Sequence, residues 1–171
     1  MNAQILITFA SKYGATAEIA EKIGAVLRQS GYDVDIMPAD RVTNLQSYKA
    51  VVLGSGVYAG QWLKKASRFL KENVKTLSGQ MLWIFSSGPT GQGDPAELMK
   101  GWRLPKSLQP VADLIKPRGI AVFHGNIKDD KLNFFEKRII KMVKAPSGDF
   151  RDWNAITAWA SAIAGELKGK A

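Results

Sequence analysis

The chain has 171 residues, 46% of them hydrophobic and 23% charged, a globular balance that excludes wholesale disorder. It has no cysteine and one histidine. That excludes a disulfide scaffold, a thiolate metal site and a thiol nucleophile, and leaves little for a zinc or non-haem iron centre, so any redox chemistry must use a bound organic cofactor. The net charge is +9 and unevenly placed: Met1 to Ala59 is neutral, with 5 basic and 5 acidic residues, and the remainder carries the whole excess. Such asymmetry predicts a basic face with an anionic partner.

Residues 1–171 are expected to form one domain. Ile5 to Phe9 is a β-rich apolar run without clean alternation, as in a strand covered on both faces. Thr16 to Arg28 follows as a helix, with Ile19, Ile23, Val26 and Leu27 on one stripe. Further strands are expected at Tyr32–Met37, Ala50–Ser55, Met81–Phe85 and Gly119–Phe123. Helices are expected at Trp62–Val74, Leu132–Val143 and Asp152–Leu167, with a partly helical stretch from Glu97 to Ile115 broken by Pro105 and Pro110. Five alternations of strand and helix predict an α/β fold: a doubly wound, five-stranded parallel sheet between two helical layers. Ligands of such sheets bind beyond the carboxyl ends of the strands, so the strand-end loops are the informative segments.

After the first strand, Ser11-Lys12-Tyr13-Gly14-Ala15-Thr16 offers hydroxyls and a glycine at a strand-to-helix turn. Free N–H groups and the positive helix end suit a phosphate there, although the same residues also serve as an ordinary helix cap. After the third strand, Gly54, Gly56 and Ala59 fit a dinucleotide spacing. The loop follows the wrong strand for that use, and no acidic residue ends the next one. Gly56-Val57-Tyr58-Ala59-Gly60 instead suits close approach of a flat ring, with Tyr58 and Trp62 as candidates to lie along its face. After the fourth strand, Ser86-Ser87-Gly88-Pro89-Thr90-Gly91 exposes backbone groups suited to a heterocycle's polar edge. His124, at the end of the fifth strand, fits a satisfied structural residue better than a catalyst.

Three such loops in this order resemble the flavodoxin-like FMN-binding fold. The SKYGAT run, with Gly-Ser-Gly-Val-Tyr after the third strand, is similar to the flavodoxin-like, menaquinone-dependent protoporphyrinogen oxidase family. The likeness is strong at Ser11–Thr16, moderate at Gly54–Trp62 and Phe135–Leu167, and weak between Gly88 and Pro117. It implies strand order 2-1-3-4-5. It also implies that Ser11, Lys12, Tyr13, Gly14, Ala15 and Thr16 hold the FMN phosphate, that Tyr58 and its neighbours flank the isoalloxazine, and that Ser86 to Gly91 line its edge. The glycine- and proline-rich Ser86–Gly93 loop departs from that pattern, which bears on the substrate more than on the flavin.

The resemblance implies an FMN oxidoreductase passing electrons from a porphyrinogen to a quinone, with Lys64, Lys65 and Arg68 meeting the substrate's carboxylates. The other readings are an FMN electron carrier without its own small-molecule substrate and a flavin-free interaction domain; carriers of this fold tend to be acidic, against the +9 here. No acid–base pair stands out. In the segment Lys131–Lys144, Leu132, Phe135, Ile139, Met142 and Val143 share one helical stripe, opposed by Lys131, Lys137, Arg138, Lys141 and Lys144, with Phe134 among the bases. A basic amphipathic helix with a projecting aromatic reads as a surface for an anionic membrane, or as a helix packed on the sheet with a solvated charged side. No nucleic-acid motif is present. The expected location is the cytoplasm, with peripheral contact at the inner face of the cell membrane: no targeting leader is visible, and no apolar run nears the ~20 residues of a spanning helix.

Overall fold

A computed structural model describes residues 4–128, 132–142 and 146–169. Strand β1 (Gln4–Ala10) lies at the centre of a parallel sheet, flanked by β2 (Asp33–Pro38) and β3 (Ala50–Tyr58), with β5 (Met81–Ser87) and β6 (Gly119–Phe123) beyond β3. Numbering only these five gives the expected order 2-1-3-4-5. The sheet also gains a sixth strand, the short β4 (Gln61–Trp62), antiparallel to the end of β3.

The central strands read as continuous apolar runs because both faces are covered. Ile5 and Ile7 of β1, Val52 of β3 and Phe85 of β5 face one helical layer, formed by α1 (Ala15–Gln29) and α7 (Trp153–Lys168), where Ile19, Ile23, Ile156 and Ile163 meet them. Leu6, Val51, Leu53 and Ile84 face the other way. They pack under α2 (Lys64–Glu72), α3 (Val74–Ser78) and α5 (Gln109–Ile115), against Ala66, Leu70, Leu77 and Ala112. Burying both faces removes most of the apolar strand surface from water, at about 25 cal/mol per Å2. Gly54 makes room for this packing: a Cβ there would lie 2.0 Å from Cζ of Phe85.

Several segments differ from the sequence expectation. Trp62 belongs to a β3–β4 hairpin and not to a helix. Ala59 (φ 48) and Gly60 (φ 73) both take left-handed angles, the requirement of a two-residue hairpin turn that follows the strand twist. The helix expected over 62–74 therefore begins at Lys64, and Asn73 separates α2 from α3; its Nδ2 donates to the Phe69 carbonyl (2.8 Å). The stretch 97–115 resolves into α4 (Pro95–Leu98), a 3₁₀ turn at Lys106–Leu108 and α5, with Pro110 in the first turn of α5, where its missing N–H costs nothing.

Between β6 and α7 the chain makes an excursion. β7 (Asn126–Ile127) pairs with β8 (Gly148–Asp149), and α6 (Phe134–Met142) lies between them in sequence. Asn133 and Glu136 form a reciprocal cap at the start of α6. Glu136 N–H donates to the Asn133 side chain (2.9 Å), and Asn133 N–H donates to the Glu136 carboxylate (3.3 Å). The helix expected over 132–143 thus starts at Phe134; Lys131, Val143 and Lys144 lie outside the described residues.

Candidate flavin site

A cavity of about 210 Å3 opens at the carboxyl end of the sheet, where fold geometry predicts a ligand. Three strand-end segments and the excursion wall it. Ser11, Tyr13, Ala15 and Thr16 come from the β1–α1 turn, Gly56 to Ala59 from the β3–β4 hairpin, and Ser87 with Gly88 from the end of β5. The excursion contributes Gly125 to Lys128, Leu132, Glu136, Ile139 and Ile140.

The β1–α1 turn is shaped by its residues. Gly14 sits at φ 93, where it costs glycine little, and its N–H donates to Ser11 Oγ (3.0 Å). Helix α1 starts at the next residue with no side-chain cap. Its first N–H groups, which a helix cannot satisfy internally, therefore face the cavity beside Thr16, which is 3% exposed. The Thr16 hydroxyl also approaches Gly56: a Cβ there would lie 3.3 Å from Thr16 Oγ1. An uncapped helix end framed by hydroxyls and glycine backbone fits a phosphate monoester.

Not every residue singled out from the sequence reaches the cavity. Lys12, Gly14, Gly60, Ser86, Pro89, Thr90 and Gly91 are not among its walls. Ser86 is fully buried and accepts from Trp62 Nε1 (2.8 Å). Trp62 is thus a core residue, 6% exposed, on the far side of the sheet from α1; it does not lie along a ring face. The Pro89 carbonyl accepts from Gly125 N–H (2.9 Å) and lies 3.1 Å from His124 Nδ1, while His124 Nε2 lies 2.7 Å from the Gly93 carbonyl. His124 is therefore the structural residue expected, and it holds the glycine-rich loop in place.

Lys64, Lys65 and Arg68 do not line the cavity either. Lys65 pairs with Asp40 (2.6 Å), which holds that carboxyl below its usual range, and Arg68 lies 3.9 Å from Glu72. Among the described residues, the cationic one on the cavity wall is Lys128, which sequence pattern did not single out.

Lys12 and Tyr13 both reach helix α6. Lys12 Nζ donates to Glu136 Oε2 at 2.7 Å, and the Tyr13 hydroxyl donates to the same oxygen. Burial tends to push the Glu136 carboxyl up, but the Lys12 ammonium and the Tyr13 hydroxyl outweigh it and hold the group below the usual carboxylate range. Lys12 is correspondingly raised by the hydrogen bond to Glu136, and Tyr13 is raised by burial and by the same carboxylate. Tyr58, half-exposed on the cavity wall, is pushed up to about 12, mainly by burial, so its phenol stays neutral.

Arg151 fastens the excursion to α1. Its side chain, 5% exposed, grips Asp149 with two bonds (Nε 2.9 Å, Nη2 2.8 Å) and donates to Glu18 of α1 and to the Ala15 carbonyl (3.2 Å). The forked guanidinium suits this bidentate grip, and it holds Asp149 below its usual pKa. The sequence does not mark Arg151 as a fastener, because its Glu18 and Ala15 partners are set by tertiary contact.

Among the described residues, no cluster of His, Asp or Glu could hold a metal ion, and no helix is long and apolar enough to cross a membrane.

The sheet order, the uncapped turn and the cleft at the carboxyl end of the sheet define a flavodoxin-type protein. The flavodoxin-domain family model matches residues 6–154, and the chain belongs to that family; its cofactor is FMN. Among curated proteins the chain is similar to protoporphyrinogen IX dehydrogenase [quinone] of Escherichia coli strain K12, at 22% identity over 93% of each chain. Among solved structures it is similar to a flavodoxin from the domain Archaea (TM-score 0.58, 17% identity, 82% of this chain and 96% of that one). It also resembles a mutant flavodoxin from Pseudomonas aeruginosa (TM-score 0.59, 13% identity, 96% and 99% of the two chains).

Proposed function

We propose that this protein is an FMN-dependent oxidoreductase that oxidises a protoporphyrinogen-type tetrapyrrole and passes the electrons to a membrane quinone. The observation that carries this reading is the match to the E. coli dehydrogenase across 93% of both chains, a span that takes in the excursion as well as the sheet. Ser11 and Thr16 would bind the phosphate with the N–H groups at the start of α1. Gly56 to Tyr58 would flank the ring, and Ser87 with Gly88 would meet its polar edge. The cofactor supplies hydride and electron acceptance; the chain supplies position, an apolar wall from Ile127, Ile139 and Ile140, and the Lys128 charge at the site. A substrate carboxylate would find Lys128 and not the helix α2 bases.

The same reading gives α6 a second use. Phe134 (68% exposed), Phe135 (75%) and Met142 (81%) stand out from it, accompanied by Lys137, Arg138 and Lys141. Apolar side chains beside cations suit the headgroup region of an anionic bilayer, where each base contributes about 1 kcal/mol. A quinone acceptor dissolved in that bilayer would then lie close to the flavin. Co-sedimentation with anionic vesicles is expected at low salt and is expected to weaken at high salt; no binding at low salt removes this part of the proposal.

The second reading, an FMN carrier serving partner proteins, is favoured by the flavodoxins among the structural neighbours. One assay separates the two. Anaerobic turnover of protoporphyrinogen IX with a menaquinone analogue supports the oxidase, whereas a flavin that cycles only with a reductase or acceptor protein supports the carrier.

A further inference from the structure

We infer that Glu136 is a positioning residue of the flavin site, a latch that fastens helix α6 over the cofactor. The inference rests on the FMN reading of the cavity and adds to it a role for the excursion.

Glu136 is 124 residues from Lys12 in sequence, yet one of its oxygens receives both Lys12 Nζ and the Tyr13 hydroxyl. Its other oxygen accepts from Asn133 N–H at the start of α6 (3.3 Å). The side chain is 14% exposed, whereas Lys12 is 43% exposed, so the bridge lies at the rim with its anion turned inward. Glu136 itself, with Ile139 and Ile140 on the same side of α6, lines the cavity wall.

Among the described residues, the rest of α6 shows little other anchorage. None of its residues is buried, and Phe134, Phe135 and Met142 face outward. A nine-residue helix without a buried stripe has little packing of its own to fix its place. The Arg151–Asp149 clamp fixes β8, not α6. The carboxylate therefore carries much of the orientation of α6 over the cleft. The charge arrangement fits as well. Lys12 is drawn to Glu136, so the phosphate is left to Ser11, Thr16 and the helix N–H groups, and Lys12 with Tyr13 serves to hold the cover.

The test uses the full chain loaded with FMN and reads flavin access directly. Stopped-flow release of FMN and iodide quenching of flavin fluorescence are measured for wild type, E136Q, K12M, K12E and the charge-reversed pair K12E/E136K. E136Q is expected to raise the release rate and the quenching constant several-fold, and K12M to raise both less, because the Tyr13 bond survives. The reversed pair is expected to recover much of the loss of K12E alone. Unchanged release and quenching in E136Q would overturn the latch. K12M, which leaves the Asn133–Glu136 cap intact, carries the same test should E136Q fold poorly; wild-type values there would overturn the latch too. A wild-type chain that holds no FMN would remove the flavin reading itself, and the latch with it.

Discussion

Helices α6 and α7 follow the same sequence rule and have opposite fates. Both carry apolar residues at helical spacing. In α7, Ile156, Ala160, Ile163, Ala164 and Leu167 are buried against α1 and the sheet. In α6 no residue is buried, and the side chains expected to form its apolar stripe divide: Leu132 and Ile139 turn to the cavity, while Phe135 and Met142 turn to solvent. Periodicity reports that a helix is amphipathic; it does not report what covers the apolar side. For α7 the cover is the protein's own core. For α6 one flank lines the cavity, and in the function proposed above that cavity holds the cofactor while a bilayer covers the other flank.

The contrast is sharpest in stability. Ile156→Ala should cost about 2–5 kcal/mol in denaturant unfolding, since it opens a cavity in the sealed layer. Phe135→Ala should stay within about 0.5 kcal/mol of wild type. A comparable loss for Phe135→Ala would mean that the outer side of α6 is covered by the fold itself. In cofactor binding, Thr16→Val should weaken FMN by about 1.5–3 kcal/mol while leaving riboflavin, which has no phosphate, unaffected. An equal loss for both would make Thr16 a packing residue of α1 only.

Vesicle binding should be reduced more by Phe134→Ala with Phe135→Ala than by any pair of substitutions on the exposed side of α7, without loss of FMN. Equal binding would show that lipid contacts lie elsewhere. The smallest effect concerns pH. Glu136 and Asp149 are both held below their unfolded values, so what they contribute is fully present above the ordinary carboxylate range, about pH 4, and is lost as pH falls through their folded values. FMN release and iodide access should therefore be flat at neutral pH and rise only in acid, while α7 contacts persist. A transition near neutrality would point to another group.

The five parallel strands, their order and α1 were legible because doubly covered strands are long apolar runs and α1 has a clean stripe. The β1–α1 turn was legible from Ser11 to Thr16 because the turn chemistry of Ser11 and Gly14 is local; that it holds the cofactor is part of the proposal. The two-residue pairings β3–β4 and β7–β8 carry no periodicity, and the left-handed Ala59 is not a residue that signals a turn. Glu136 and Arg151 were missed because their contacts with the β1–α1 region are distant in sequence, and Lys128 because only the fold brings it to the cavity wall. The basic face of α2 was overvalued for the opposite reason: a run of lysines is conspicuous whether or not a ligand is near, and Lys65 is spoken for by Asp40.

A single short helix thus has one flank on the cavity wall and the other exposed. If the proposed latch holds, whatever grips the outer flank handles the flavin's cover in the same motion, so attachment and admission become one equilibrium. Reciprocity then runs both ways: if a loaded cleft steadies the helix, it must also strengthen the grip, and the chain would report through its foothold whether it carries its cofactor.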